Sequence, residues 1–453
     1  MHRVSGHVVD PSPTSIDNAA SSMETPIDVV EDIVVRRLLR DRSNTIFGLS
    51  EALGVPVGVI KTLVEDLRGR AFVDVEGMDG RDFRIALTST GVDLAEERRR
   101  HCSYAGPCPV TLAEYSAMVA AQRPTGAITR EGLGPAFGDL VVSPETLAQI
   151  GTAVVSHGAI FLYGPAGTGK TSLAERIIRL FGDSILVPHA IEVDRQIITL
   201  FDPAVHRPIA DAGPEADGRW VRCHRPLVMV GGELTLDMFE LSFDQNAHIH
   251  SAPIQVKANN GILLIDDFGR QAASPDQVLN RLIVPLSRSI DFLRLSTGHT
   301  FQLPFEARPV ISTNLEPSSL GDEAFLRRLR NKVFIGPCTP EAFNWILARS
   351  AQKMSIEITA NVAQHLRELS MRELGGLRPY VATDFCELIQ GVAAFEGGAI
   401  SVDVQLIDRI AAQYFVIGAE PEPDFEVAMA PPPMAQAIPH PPSRVPLSAN
   451  GLR

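Results

Sequence analysis

The sequence has 453 residues and a formal net charge of −13, with 41 basic and 54 acidic side chains. This length suffices for two or three domains with hydrophobic cores, and the acidic excess gives no overall attraction to nucleic acid or to an anionic membrane surface. The five cysteines form no CxxC pair and no pairing pattern, which is typical of the reducing cytoplasm. No apolar run approaches the ~18 residues that span a bilayer, so we expect a cytoplasmic protein without membrane insertion.

Both ends of the chain lack periodic apolar residues. Residues 1–25 are rich in Ser, Pro, Thr and Asp, and residues 418–453 are rich in Pro. Such segments bury too little apolar surface to offset the entropy lost on ordering, so we predict disorder at both ends. A proline-rich ligand for a partner's groove is the alternative interpretation of the C-terminal tail.

Residues 26–102 alternate helical and strand patterns. Apolar residues recur at helical spacing in 27–38, 46–53 and 57–67, two alternating strands meet at a turn over 78–80, and a helix follows. Helix, helix, turn, helix, hairpin and helix in this order resemble a winged-helix domain. The resemblance lies in the pattern of elements alone, since no invariant motif accompanies it.

The charges of this domain bear on whether it binds DNA or protein. Between Asp28 and Arg100 there are 12 basic and 14 acidic residues, and the third helix offers only Lys61 and Thr62 as outward polar candidates for base contacts. Phosphate contacts dominate affinity for nucleic acid, so the composition favours docking of a protein, and DNA binding stays open. Residues 103–130 carry turn residues around one helix and are interpreted as a linker.

The strongest motif follows an apolar strand at residues 159–163. Gly164 opens a turn-forming stretch, and Lys170 and Thr171 begin a helix, in the order strand, GxxxxGK[ST], helix. Glycines let backbone N–H groups turn inward around phosphates, and the helix N-terminus adds partial positive charge. Lys170 adds a full charge, and the Thr171 hydroxyl can ligate Mg²⁺. The predicted phosphate-binding residues are Gly164, Pro165, Ala166, Gly167, Thr168, Gly169, Lys170, Thr171 and Ser172.

A second motif, residues 262–267, runs four apolar residues into two carboxylates. Such a run is typical of a buried parallel strand whose carboxyl end lies beside the phosphate loop. Asp266 is then placed to hold Mg²⁺, and Asp267 to orient or deprotonate the attacking water. The alternative is that the two aspartates only begin a surface loop.

With these motifs, residues 130–417 resemble an AAA+ ATPase. The Ala-Asn-Asn-Gly sequence before the second motif resembles the MoxR-like group, whose members carry an insertion in the second helix. The resemblance implies an α/β fold: an AAA+ P-loop NTPase core with a parallel sheet sandwiched by helices (131–338), an all-α lid (339–417) and the N-terminal winged-helix domain. It also implies a pore loop at Leu241–Asn246 with Phe243 at its tip, although a solvent loop with one half-buried Phe fits equally.

The same resemblance assigns further site residues. Asn314, at the end of an apolar strand, corresponds to sensor 1, which helps to place the water. Arg328, with Arg327 next, corresponds to the arginine that reaches the γ-phosphate of the neighbouring subunit; a basic helix end is the alternative. Arg378, just before the third of four helical segments in 339–417, resembles sensor 2.

The function implied is Mg²⁺-dependent ATP hydrolysis by a ring, most often hexameric, that remodels a protein client recruited by the winged-helix domain. The cofactors are ATP and Mg²⁺, the latter held by Thr171 and Asp266. An alternative is an ATP-regulated DNA-binding regulator or initiator. A scaffold that does not hydrolyse ATP is a third, because Asp267 stands where most AAA+ proteins have Glu.

Overall fold

The computed structural model describes residues 23–124, 128–156, 158–210, 215, 217–317, 329–397 and 401–415. The predicted disorder of the two ends therefore lies outside the described residues, except at residues 23–25. Thr25 is buried and donates a hydrogen bond from Oγ1 to the carbonyl of Pro109 at 2.9 Å. The packed structure thus begins before the predicted boundary at residue 26.

The first part of the chain contains the helices and the hairpin predicted from its periodicity. The strands pair antiparallel in the order β1-β3-β2. Ile33, Leu38, Ile60 and Leu67 are fully buried in one core, because helical spacing places them on the inner faces of their helices. The elements are α1 (Ile27–Asp41), β1 (Ser43–Thr45), α2 (Ile46–Leu53), α3 (Val57–Gly69), β2 (Val73–Asp79), β3 (Asp82–Leu87) and α4 (Ser89–His101).

The middle of the chain alternates strands and helices, and short 3₁₀ helices lie among the described residues at Ile178–Leu180 and Leu236–Phe239. Its elements are β4 (Val110–Thr111), α5 (Leu112–Ala121), α6 (Arg130–Phe137), α7 (Pro144–Val155), β5 (Ile160–Tyr163), α8 (Lys170–Ile177), β6 (Ser184–Pro188), β7 (Ala190–Val193), β8 (Gln196–Thr199), β9 (Trp220–His224), β10 (Leu227–Val230), β11 (Ser242–Asp244), β12 (Ile249–Ser251), α9 (Ile254–Lys257), β13 (Ile262–Ile265), α10 (Pro275–Arg288), β14 (Ile290–Arg294), β15 (Thr300–Pro304), β16 (Arg308–Thr313) and β17 (Asn331–Phe334).

The central sheet is entirely parallel, in the order β10-β13-β16-β5-β17. Alternate side chains of its strands point to opposite faces. Ile160 and Leu264 pack with helices α6, α7 and α8 on one face, whereas Phe161 and Ile265 pack with α10 on the other. Because helices cover both faces, the strands are continuous apolar runs, and the predicted α/β fold is confirmed.

A second sheet, in the order β11-β12-β8-β7-β4, combines β4, which precedes the central sheet in the chain, with segments on both sides of β10. The predicted pore loop is wrong in one respect, since Phe243 lies on β11 and not at a tip. Its ring centroid is 4.7 Å from that of His250 and 5.8 Å from that of His248. Phe243 is therefore half-buried on a paired strand against two imidazoles.

The segment expected to be a linker is an integral part of this second sheet. Strand β4 pairs in parallel with β7, and Tyr115 of α5 is buried. The two asparagines before β13 hold α5 in place: Asn259 Nδ2 donates to the Tyr115 hydroxyl at 2.7 Å, and Asn260 Nδ2 donates to the carbonyl of Val119 at 2.9 Å. Residues 103–124 therefore do not behave as a free connection.

The C-terminal helices, which we call the lid, are α11 (Pro340–Lys353), α12 (Ala360–Leu374), α13 (Pro379–Glu396) and α14 (Val404–Tyr414). The predicted helices are present, and α13 begins earlier than expected because Pro379 occupies its first position, where a missing N–H costs nothing. Phe343, Leu366, Phe385 and Ile407 share a core separate from that of the central sheet. None of the helices in the described ranges has the length and apolarity needed to cross a bilayer.

Candidate functional site

The predicted phosphate loop connects β5 to α8, at the carboxyl end of the central sheet. Gly164 has a φ of 141°, and a Cβ there would lie 2.3 Å from the carbonyl oxygen of Ile335, just after β17. Only glycine fits this close approach. The Thr168 hydroxyl donates to the carbonyl of Pro165 at 3.0 Å, which closes the turn. The loop from Gly164 to Gly169 leads directly into Lys170, Thr171 and Ser172 in the first turn of α8.

Lys170 is buried inside this loop. Its Nζ donates to the carbonyl oxygens of Gly164 and Pro165, both at 2.9 Å. Burial lowers the pKa of the Lys170 ammonium, the nearby carboxylates of Asp267 and Asp266 act in the opposite direction, and the Arg378 guanidinium lowers it further. A cation held in a loop of this kind is placed to bind phosphate oxygens.

Thr171 and Asp266 meet beside the loop. The Thr171 hydroxyl donates to Asp266 Oδ2 at 2.9 Å and lies 3.1 Å from Oδ1. Asp266 follows β13 directly, and its backbone N–H donates to the carbonyl of Val230 at the end of β10. A hydroxyl and a carboxylate in contact present the hard oxygen ligands that Mg²⁺ prefers.

Asp267 is exposed and has a φ of 47°, a left-handed conformation that aspartate tolerates better than most residues. Its carbonyl accepts the N–H of Arg270 at 3.1 Å, and Phe268 N–H donates to the carbonyl of Ser312 on β16. This turn keeps the Asp267 carboxylate close enough to Lys170 for its charge to oppose the lowering of the ammonium pKa that burial causes. Asp267 therefore belongs to the same cluster of charges.

Asn314 follows the last residue of β16, and its Oδ1 is a buried acceptor with no hydrogen-bond partner among the described residues. Strand β16 lies between β13 and β5, with Ile311 paired to Ile265 and Thr313 paired to Tyr163. The carboxyl ends of neighbouring parallel strands meet at one edge of a sheet. Asn314 is thus placed between Asp266 and the phosphate loop.

Arg378 reaches this edge from the lid. It is the residue preceding α13, is 9% exposed, and donates from Nη2 to the carbonyl of Leu374 at 3.3 Å. Its Nη1 is buried and finds no acceptor in the described part of the chain. An unpaired buried guanidinium N–H is costly, so Arg378 and Asn314 each present an unused polar atom near the loop.

Tyr380 is a residue of this region that the sequence analysis missed. A Cβ built on Gly167 would lie 2.1 Å from Tyr380 Cε1, so the ring occupies the space beside the loop that a side chain would need. This contact joins residues far apart in the chain, and no local motif could have indicated it. Arg327 and Arg328 lie outside the described residues.

These residues fit a nucleoside triphosphate with Mg²⁺. Among the described residues, the buried side-chain polar atoms without a partner belong to five residues, and two of them are Asn314 and Arg378. Buried polar groups are rarely left unpaired, so their concentration at the phosphate loop indicates a ligand site. Lys170 would provide the cation for phosphate, and Thr171 and Asp266, which are hydrogen-bonded to each other, would provide oxygen ligands for Mg²⁺.

No protein-family model and no curated relative matches the sequence. Among solved structures, the chain is similar to NtrX from Brucella abortus, with 14% identity and a TM-score of 0.38 over 59% of this chain and 54% of that one. It is also similar to the RuvB Holliday junction branch migration motor of Thermotoga maritima, with 14% identity and a TM-score of 0.34 over 64% of this chain and 71% of that one. The chain thus spans a little over half the length of the NtrX chain.

The strand order, the helices on both faces, the loop between β5 and α8 and the helical lid together constitute an α/β fold with a glycine-bearing loop at the carboxyl end of a parallel sheet. The phosphate loop, the Asp266 strand end and the Asn314 strand end lie on three adjacent strands of its sheet. In open parallel sheets, ligands bind in the crevice at the carboxyl ends of the strands, which is where these three groups meet.

Proposed function

We propose that this protein binds Mg²⁺-ATP at the edge of the central sheet and hydrolyses it. The observation that carries the proposal is the hydrogen bond of 2.9 Å between the Thr171 hydroxyl and Asp266, beside a buried lysine in a glycine-bearing loop. The bond joins two motifs that are 95 positions apart in the sequence. A structural turn alone would not need a carboxylate there.

The roles of the residues follow from their positions. Lys170 and the N–H groups of the loop hold the phosphates, while Thr171 and Asp266 hold the metal. Bound Mg²⁺ would neutralise charge that develops on the phosphate oxygens. Asp267 orients or deprotonates the attacking water, and the Asn314 amide helps to position that water.

The test of this proposal is the release of inorganic phosphate from ATP by the purified full chain. We expect Mg²⁺-dependent turnover that EDTA removes and that the Lys170→Ala variant lacks. ATP binding without turnover would favour the third hypothesis, in which the protein is a scaffold that does not hydrolyse ATP because Asp267 replaces the longer Glu. The absence of both binding and turnover would contradict the proposal itself.

We further propose that the chain assembles into a ring, a hexamer by analogy with the family that it resembles, in which Arg328 completes the site of the neighbouring subunit. A guanidinium supplied from outside stabilises charge that develops during phosphoryl transfer, and such arginines contribute about 10³-fold or more to turnover. Particle mass measured with and without ATP tests the assembly. A mass that stays at one chain under both conditions would contradict it.

Replacement of Arg328 with alanine is expected to leave ATP binding intact and to lower turnover by about a thousandfold or more. Mixing this variant with Lys170→Ala subunits should restore part of the turnover, because the first supplies an intact loop and the second an intact arginine. Arg330→Ala, two residues away, tests the third arginine of this segment for the same role. Full turnover by Arg328→Ala alone would show that another arginine, with Arg327 first, has this role.

The N-terminal part, residues 23–102, is proposed to be a winged-helix domain that recruits a protein client. Its surface carries exposed apolar side chains on α2, α3 and the β2–β3 hairpin: Phe47, Val57, Met78 and Phe83. Three cations of the same elements are committed to carboxylates, in the pairs Lys61–Glu65, Arg68–Asp74 and Arg84–Asp79. Exposed apolar residues with few free cations suit a protein partner better than DNA.

The two kinds of partner differ in a measurable way. If the client is a protein, turnover of ATP by the full chain should rise with that partner and be indifferent to DNA. DNA retention that falls steeply with salt would instead favour the ATP-regulated DNA-binding alternative.

The five free cysteines of the structure accord with the cytoplasmic location that we propose.

A further inference from the structure

Tyr380 is the second residue of α13, and its ring lies against the middle glycine of the phosphate loop. A Cβ on Gly167 would be 2.1 Å from Tyr380 Cε1 and 2.3 Å from Cδ1, distances that real Cβ atoms do not show. Gly167 also has a φ of 73°, which favours glycine. The backbone of the loop and the aromatic ring of the lid are therefore in direct contact.

This contact is not part of the hydrophobic core of the lid. The neighbouring Val381 and Ala382 are fully buried in that core, whereas Tyr380 remains 37% exposed and packs outside it. An aromatic ring turned outward from its own helix toward a polar loop gains little from apolar burial. Its position thus points to a purpose at the loop and not to the stability of the lid.

The segment that carries Tyr380 is anchored to the lid and to the chain entering it. The Ser370 hydroxyl donates to the carbonyl of Gly376 at 3.0 Å, and Cys338 N–H donates to the carbonyl of Leu377 at 3.0 Å. Arg378, two residues before the tyrosine, acts electrostatically on Lys170 in the same loop. Movement of the lid relative to the sheet must therefore change both the Arg378 and the Tyr380 contacts.

We propose that Tyr380 is a positioning residue that holds the lid closed on the phosphate loop and so slows the release of bound nucleotide. The inference rests on the proposed binding of ATP at this loop and adds a means by which the lid responds to it. The ring contacts Gly167, within the loop whose N–H groups would bind the phosphates. Opening of the lid would move the ring away from the loop, and bound nucleotide would then dissociate faster.

The test measures the dissociation rate of a fluorescent ATP analogue, displaced from the full chain by excess ATP. We expect Tyr380→Ala to release the analogue about tenfold faster, within the range of ordinary coupling between two sites. Tyr380→Phe retains the ring and should stay within about twofold of the wild type, since the contact is made by ring carbons. Leu388→Ala, a residue of the same helix with matched exposure of 38%, is the control and should have no effect.

A double-mutant cycle with Gly167→Ala separates the contact from general damage to the loop. The added methyl group collides with the ring, so Gly167→Ala alone should weaken binding strongly, and Tyr380→Ala in addition should recover part of that loss. Additive effects of the two changes, or a release rate for Tyr380→Ala equal to that of the wild type, would overturn the inference. If the wild type binds no analogue at all, the proposed function fails instead.

Discussion

Replacement of Lys170 with alanine is expected to weaken the binding of ATP by at least about thirtyfold, since truncating a buried charged partner costs roughly 2–5 kcal/mol. The Lys170 ammonium carries a full positive charge, and it donates hydrogen bonds to the carbonyl oxygens of Gly164 and Pro165 in the loop. The variant retains the backbone N–H groups but loses the charge-assisted hydrogen bonds to phosphate. Equilibrium titration of a fluorescent ATP analogue measures the change.

The fold should survive this substitution. Lys170 donates its hydrogen bonds to two backbone carbonyls of the loop and not to a carboxylate. Its removal therefore does not leave the charged partner of a buried, hydrogen-bonded ion pair behind. Lys61→Ala is the matched control, because that side chain is 65% exposed on α3. Unchanged affinity in Lys170→Ala, with a normal thermal unfolding transition, would overturn the assignment of the loop.

How much of this site the sequence could predict depends on how local each signal is. The phosphate loop follows from adjacent residues, since a strand, a glycine-bearing turn and a helix start have to occur in order. Asp266 follows from a run of buried apolar residues that ends in a carboxylate. The pairing of Asp266 with Thr171 could be expected from the resemblance alone, because only the sheet order places β13 and β5 on either side of β16.

Other features have no local signal. Strand β4 has two residues, too short for any alternation, and it exists because the distant β7 pairs with it. The two asparagines before β13 suggested a family, yet their side chains act here as anchors for α5. Phe243 was expected at a loop tip because the family resemblance implied a pore loop there, and a strand of three residues is too short for its periodicity to correct that expectation.

The lid shows both cases in one helix. The apolar period of α13 predicts its buried face, and Phe385 and Ile389 lie in the lid core as that period requires. The contact of Tyr380 with Gly167 depends on how the whole lid is placed over the loop. A side chain outside the periodic stripe gives no indication of such a partner, and the same is true of the unpaired nitrogen of Arg378.

Replacement of Asp266 with asparagine is expected to lower Mg²⁺-dependent turnover by about a hundredfold or more while leaving nucleotide binding in EDTA within about twofold. The amide has the size of the carboxylate, and its oxygen can still accept the Thr171 hydroxyl that now lies 2.9 Å away. What it loses is the negative charge that a hard cation prefers. Phosphate release and analogue binding, measured with and without Mg²⁺, separate these two effects.

The hydroxyl side of the pair gives an independent test of the same metal site. Thr171→Ser keeps the hydroxyl that donates to Asp266, so this variant should retain most of the turnover. Thr171→Ala removes an oxygen ligand, so its turnover should fall toward that of the Asp266→Asn variant. Asp93→Asn, on an exposed face of α4, serves as the control for loss of a carboxylate. If Asp266→Asn turned over ATP at the normal rate, this carboxylate could not be a metal ligand, and the hydrogen bond to Thr171 would be only a tie between α8 and β13.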